Sequence, residues 1–290
     1  MAYDAPKQLA ESDADRFDDT EPQSQTANHR FGLLSNKNVL ITGGGRNIGR
    51  AIALEMAEQG ADIYFTDIVE DRLTRVEKEI GGFAVKTKGF LSDVSDHDQC
   101  DDLVRRLMEC RISIDILVNN VGINCMAERF IGSKMSDWKR TYETNLFGPV
   151  YLTNLMSRAM VRDNLTGSIV FITSIHEKTI SRWPSYSSSK AALGMVIKEL
   201  AVELAPYGIR VNGIAPGAIQ DESEKQRWPH VYTPLRQEPV NARYIGRAAV
   251  YLSSDYFSKQ TTGTVITVDS GLSLYSYRVA QVPPEQNKTK

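Results

Sequence analysis

The sequence predicts an α/β fold: one doubly wound sheet of seven parallel strands with helices on both faces, in a single domain. Three observations predict it. Short β-branched runs alternate with longer amphipathic segments along most of the chain. Helical segments separate nearly all of the runs, which rules out hairpins and requires right-handed parallel crossovers. No Pro/Gly-rich linker divides the pattern, so the elements share one core.

The first run, Asn38-Val39-Leu40-Ile41-Thr42, leads into a helix from about Asn47 to Gln59. Further strands are expected at Ile63–Thr66, Ala84–Thr87, Ile114–Val118, Ser168–Ile172, Ile209–Asn212 and Thr264–Val268. Residues 1–33 are rich in Asp, Glu, Gln and Ser and lack apolar periodicity, so they read as a flexible acidic tail. The domain then spans 34–275, and a polar tail occupies 276–290.

Composition narrows the function. The 290 residues are 41% hydrophobic and 24% charged, with a net charge of -2 and no long Lys/Arg stripe, so nucleic acid is not an expected partner. No run approaches the ~18 apolar residues of a membrane helix, so no membrane association is expected. Cys100, Cys110 and Cys125 lack metal-ligand spacing, as do His29, His97 and His230, and no signal peptide is recognised. A cytoplasmic protein without a metal is expected.

After the first strand, Thr42-Gly43-Gly44-Gly45-Arg46-Asn47-Ile48-Gly49 runs straight into a helix. A strand, a Gly-rich turn and a helix N-terminus aim backbone N–H groups and the positive end of the helix dipole at a pyrophosphate. Asp67, near the end of the second strand, could accept hydrogen bonds from both ribose hydroxyls and would repel a 2'-phosphate, which favours NAD. Arg46 pulls the other way and admits NADP, because a guanidinium in the turn could pair with that phosphate.

Twelve positions beyond Ser174, Tyr186-Ser187-Ser188-Ser189-Lys190 opens an apolar helix running to about Pro206. Tyr186 and Lys190 share a face at i and i+4. A phenol titrates near ~10, too weakly acidic to act as a base at neutral pH. If Lys190 and a positive nicotinamide ring together brought it to near ~7, a stabilisation of about 4 kcal/mol would be required, and Tyr186 could serve as general acid/base. Alone, the pair equally suits a surface aromatic beside a snorkelling lysine.

With these segments in place, the chain resembles the short-chain dehydrogenase/reductase family from about Leu34 to Leu274. Its T-G-x-x-x-G-x-G turn and Y-x-x-x-K pair match, and Asp93-Val94, Asn119-Asn120-Val121-Gly122, Asn145 in N-L-F-G and Pro216-Gly217 follow in the family order. The resemblance implies a Rossmann-type fold and a catalytic tetrad of Asn145, Ser174, Tyr186 and Lys190. Ser174 would polarise the substrate oxygen, Tyr186 transfer the proton, Lys190 hold the nicotinamide ribose and Asn145 position a relay water. It further implies cofactor contacts from Gly43, Arg46, Asn47, Ile48, Gly49, Asp67, Asp93, Val94, Asn120, Gly122, Tyr186, Lys190, Pro216, Gly217 and Ile219. A homodimer or homotetramer is implied too, formed through helices near Trp138–Met160 and Ser185–Ala205.

Three positions depart from the family pattern. Asn47 replaces a glycine of the turn, and asparagine tolerates positive φ. Asp221 replaces a hydroxyl after Pro216-Gly217 and puts the cofactor contacts of that loop in question. Ser270 replaces a glycine, for which a minor packing change is expected. A substrate lid is expected over Ala218–Pro239, with Trp228, Pro229, His230, Tyr232 and Pro234. Ser174-Ile175-His176-Glu177-Lys178, Trp183-Pro184 and the ending Gly271–Tyr275 resemble bacterial glucose 1-dehydrogenases. On that resemblance the small-molecule substrate is a sugar or cyclic polyol met by Ser174, His176, Tyr186 and Glu177, although His176 could equally just pack beside the cleft. Two alternatives stand: a 3-oxoacyl thioester reductase, and a non-enzymatic nucleotide-binding protein of the same fold.

Overall fold

The computed structural model describes residues 31–125, 130–219, 233–235 and 239–275. Seven parallel strands form one sheet in the order β3-β2-β1-β4-β5-β6-β7. They are β1 (Asn38–Ile41), β2 (Asp62–Asp67), β3 (Thr87–Leu91), β4 (Ile116–Asn119), β5 (Ser168–Ile172), β6 (Arg210–Pro216) and β7 (Val265–Val268). The helices are α1 (Asn47–Glu58), α2 (Glu70–Ile80), α3 (His97–Glu109), α4 (Met135–Tyr142), α5 (Gly148–Arg162), α6 (Pro184–Leu204), α7 (Ala242–Ser253) and the short α8 (Asp255–Ser258).

The two-residue alternation of a strand sorts the core into two layers. Val39 and Ile41 of β1 join Phe65, Val118 and Ile172 against α1, α2 and α7, whose Ile52, Val76 and Ile245 are fully buried. Leu40 points the other way, with Tyr64, Leu117 and Phe171, against Leu103 of α3, Met156 of α5 and Ile197 of α6. Strand order reverses between β1 and β4, which opens a crevice beyond their carboxyl ends.

Several elements differ from the expectation. The third strand lies at Thr87–Leu91 rather than Ala84–Thr87, because the Asp62 side chain takes the Lys86 N–H at 2.8 Å and pairing with β2 opens at Thr87 opposite Ile63. Phe83 and Val85 instead pack on the core from the preceding bend. The sixth strand runs on to Pro216, since residues 210–216 are all buried and show no in/out alternation to mark an end. The helix expected over Trp138–Met160 is two helices, α4 and α5, joined by a π turn at Glu143–Phe147.

Ser270 has φ +51, in the left-handed region. The change from glycine is therefore a backbone matter rather than one of packing. An L-residue there costs roughly 1–2 kcal/mol, more when branched at Cβ. Ser270→Val should lower unfolding stability by at least about 1 kcal/mol in urea titration while Ser270→Gly does not; equal effects of the two would sink this account.

Candidate active site

The Gly-rich turn is held by its own backbone and by the loop after β4. Gly43 has φ +64 and Asn47 φ +46, so Asn47 adopts the left-handed conformation that asparagine tolerates. A Cβ on Gly49 would collide with the Gly43 carbonyl, and one on Gly45 with the Asp67 carboxylate. The Thr42 hydroxyl accepts N–H bonds from Asn120 (3.0 Å) and Val121 (3.2 Å), while the Asn120 side-chain amide donates to the carbonyls of Thr42 (2.9 Å) and Gly43 (3.1 Å). The N-cap residue Arg46 is exposed and makes no side-chain capping bond to α1, whose first turn holds Ile48 and Gly49. A bare helix start beside glycines packed too tightly for any side chain fits the pyrophosphate of a dinucleotide.

At the adenosine end Asp67 is buried. Its Oδ1 accepts from the Val69 N–H at 3.0 Å and from Arg72 at 3.3 Å. Arg75 donates to the Gly45 carbonyl at 2.8 Å. Sequence reasoning missed both arginines; their i, i+3 spacing on α2, one helical turn after Asp67, was the available signal. Asp93 closes the turn after β3, its Oδ1 accepting from the Ser95 N–H (2.9 Å) and hydroxyl (2.7 Å), and Val94 is buried behind it.

The C-terminal end of β5 and the start of α6 bring Ser174, Tyr186 and Lys190 together. Ser174 Oγ accepts the His176 N–H at 3.1 Å, and the Ser174 hydroxyl is near enough to Tyr186 to oppose the rise of its phenol pKa. Lys190 is buried, its Nζ 2.8 Å from the Ile172 carbonyl and 6.0 Å from the centre of the Tyr186 ring. That contact uses one of three ammonium donors, leaving two for hydroxyls such as those of a ribose. Gly122 borders the same point, since a Cβ there would lie 3.0 Å from Lys190 Nζ.

Asn145 lies in the π turn, fully buried. Its side chain mimics a strand edge: Oδ1 accepts the Ile123 N–H at 2.8 Å and Nδ2 donates to the Ile123 carbonyl at 2.9 Å. Nδ2 also donates to Ser189 Oγ at 3.0 Å. Ser189, which seats Asn145, has no signal in the sequence, because neither the π turn nor its register against α6 has a local signature.

Burial pushes the Tyr186 phenol up from its ordinary value, opposed by its hydrogen bond with Ser174. Burial also lowers Lys190 to about 8. In the chain by itself burial dominates at Tyr186, so the phenol is raised rather than brought toward neutrality. His176 is held neutral by burial, with its ring edge-on to Tyr186 at 6.4 Å and Nδ1 3.0 Å from Thr179 Oγ1. Glu177 turns away from the site: it pairs with Lys178 at 3.0 Å and lies against Gly194, two turns along α6 from Tyr186. The short 3-10 turn that carries Glu177 packs on α6.

Pro216 ends β6, and the Gly217 N–H donates to the Val268 carbonyl at 3.1 Å. Ile219 makes a parallel bridge with Val240. Asp221, Trp228, Pro229, His230 and Tyr232 of the expected lid lie outside the described residues, as do His29 and most of both tails. Among the described residues no group of three His, Cys, Asp or Glu could hold a metal, and no helix is long and apolar enough to cross a membrane.

Fold and site together define a dinucleotide-binding oxidoreductase. A family model for short chain dehydrogenase matches residues 37–231. L-rhamnose 1-dehydrogenase (NAD(P)(+)) of Sphingomonas sp. (strain SKA58) is 30% identical over 254 residues, 83% of this chain and 97% of the relative. Glucose 1-dehydrogenase of Gluconobacter oxydans is 30% identical over 83% of this chain and 94% of its own length. The 3-oxoacyl-[acyl-carrier-protein] reductase FabG of Thermotoga maritima is 33% identical, covering 82% and 98%. A crystallised 7α-hydroxysteroid dehydrogenase in complex with NADH and 7-oxo glycochenodeoxycholic acid superposes with a TM-score of 0.76 at 31% identity, over 83% of this chain and 96% of that one. The chain belongs to the short-chain dehydrogenase family and is an NAD(P)-dependent oxidoreductase acting on CH-OH groups.

The depressed Lys190 gives a pH signature. Between about 8 and its unfolded value of 10.5 the unfolded chain holds a proton that the folded chain lacks, so stability rises with pH through that window. Lys190→Met should therefore stabilise the cofactor-free protein by about 3 kcal/mol at neutral pH, with the gain shrinking through the same window. A pH-independent difference between the two proteins would refute the assignment of that shift to Lys190.

Proposed function

We propose that the chain transfers hydride between a nicotinamide dinucleotide and the secondary alcohol or ketone carbon of a sugar or cyclic polyol, with Tyr186 as general acid/base. The observation that carries this reading is the junction of β5 and α6, which sets the Ser174 hydroxyl against the Tyr186 phenol, with the His176 ring edge-on to Tyr186. When bound, the dinucleotide supplies the hydride acceptor for oxidation or its donor for reduction. Ser174 Oγ holds the substrate oxygen, and Tyr186 Oη takes or returns its proton. Lys190 holds ribose hydroxyls with its two remaining donors, and Asn145 fixes the Ile123 backbone beside them and positions the relay water. His176, neutral and half-buried, is a hydrogen-bonding group for a substrate hydroxyl.

Gly43, Asn47, Ile48 and Gly49 form the phosphate cradle, with Asn120 and Gly122 on its far wall. Asp93 and Val94 border the adenine, while Pro216, Gly217 and Ile219 border the carboxamide. The buried carboxylate of Asp67 favours NAD, and Arg46 leaves NADP admissible. The sugar-dehydrogenase relatives support the substrate class. Assembly as a homodimer or homotetramer would use α4, α5 and α6, which expose Phe147, Met195 and Val202 near or along them. A cytoplasmic setting suits a chain with its cysteines unpaired.

A second reading keeps the chemistry and changes the substrate to a 3-oxoacyl thioester. It is favoured by exposed Phe130, Ile131 and Met135, which flank Trp138 and Tyr142; Tyr142 hydrogen-bonds Ser188 at the start of α6, at 2.8 Å. That apolar rim suits an acyl chain. Assaying NADH, NADPH and their oxidised forms with sugars, polyols and 3-oxoacyl thioesters separates the two. Tyr186→Phe should lower kcat by about 10²–10⁴ on whichever substrate turns over, with NADH affinity nearly unchanged; undiminished turnover in the variant would eliminate Tyr186 as the acid/base.

A further inference from the structure

Three charged side chains converge on Gly45. The Asp67 carboxylate and the Cβ of Arg72 both lie where a side chain on Gly45 would have to go, and Arg75 donates to the Gly45 carbonyl at 2.8 Å. These groups differ in how firmly they are held. Asp67 is 5% exposed and keeps the Val69 N–H on Oδ1 whether or not Arg72 stays. Arg75 is committed to the Gly45 carbonyl and lies 3.9 Å from Glu79, which also pairs with Arg50 at 2.5 Å. Arg72 is 32% exposed and meets Asp67 through one contact of 3.3 Å, longer than the 2.7–2.9 Å of a strong charge-assisted bond.

Physically, a buried carboxylate facing a ribose repels a 2'-phosphate unless a cation compensates it. Arg72 can do so. It sits in the first turn of α2, directly over the Gly-rich turn, and its planar fork matches a phosphate better than it matches the single oxygen it now touches. If it moved, Asp67 would remain fixed by the Val69 N–H and still accept from ribose hydroxyls.

We propose that the Arg72–Asp67 ion pair is an exchangeable contact: Arg72 leaves the carboxylate for the 2'-phosphate, so that one adenosine pocket accepts both NAD(H) and NADP(H). This rests on the dinucleotide reading of the Gly-rich turn and adds to it the residue that sets cofactor choice.

The test is a binding titration of the full-length chain with NADH and NADPH, followed by nicotinamide fluorescence without substrate, in the wild type and in Arg72→Gln. The wild type is expected to bind both. In Arg72→Gln the loss of NADPH affinity should exceed any loss of NADH affinity by about tenfold or more, the effect of roughly one charge-assisted hydrogen bond. A smaller ratio, or a wild type that binds NADH but not NADPH, overturns the exchange while leaving the dinucleotide site intact. Binding of neither cofactor by a folded wild type would overturn the dinucleotide reading itself, a distinguishable result. Because Arg72 is partly exposed and outside the core, the variant should fold, and an unchanged unfolding midpoint confirms that the comparison is between native proteins.

Discussion

Burying the Lys190 ammonium at the carboxyl end of β5 removes a charge from water, and the Ile172 carbonyl is the group that compensates it in the chain alone. That contact ties the first turns of α6 to the last residue of β5, and Ser174 and Tyr186 are set by those same two elements. The compensation is partial, which is why the lysine is lowered to about 8. An incompletely satisfied ammonium with donors to spare is a poor structural device and a good receptor for hydroxyls. Holding a ribose would supply the missing hydrogen bonds and favour the charged form, so folding strain at Lys190 and cofactor affinity are two sides of one arrangement.

Tyr186 responds to the same burial in the opposite sense. Its phenol is raised, while Ser174 opposes the rise through a hydrogen bond. Desolvation is the larger of these two influences, so the phenol stays protonated in the chain by itself.

The chemistry-bearing residues were legible in the sequence where they sit on strand ends and at fixed helical spacing. Thr42 to Gly49, Asp67, Ser174, Tyr186 and Lys190 all fall at or just beyond the carboxyl edge of the sheet, where a strand-turn-helix pattern places them without knowledge of tertiary contacts. What was not legible depends on pairing between distant segments. The start of β3 is decided by the Asp62 side chain on the neighbouring strand, not by the β-branched run before it. The π turn that carries Asn145 has ordinary helical composition, and only its contacts with Ile123 and Ser189 distinguish it. Glu177 was expected at the substrate from the resemblance of Ser174–Lys178 to glucose 1-dehydrogenases; its placement against Gly194 of α6 depends on the packing of a 3-10 turn that has no local signature.

Reaction and specificity are consequently built from different materials. Ser174, Tyr186 and Lys190, the groups proposed to handle the proton, stand at the end of β5 and the start of α6, whose backbones are fixed by the core around Phe171, Leu193 and Ile197. At the adenosine end, the selecting carboxylate of Asp67 is equally rigid, but the arginine opposing it stands on the partly exposed first turn of α2. In the proposed exchange, a rigid anion facing a movable cation would give two binding states separated by one side-chain rearrangement, with no backbone movement at β5 or α6. A rigid pair could exclude one cofactor; a rigid carboxylate with an exchangeable partner discriminates by only the difference between two ion pairs, which partial exposure to water keeps small. Under the proposed exchange, cofactor choice would vary through α2 while β5 and the start of α6 stay unchanged.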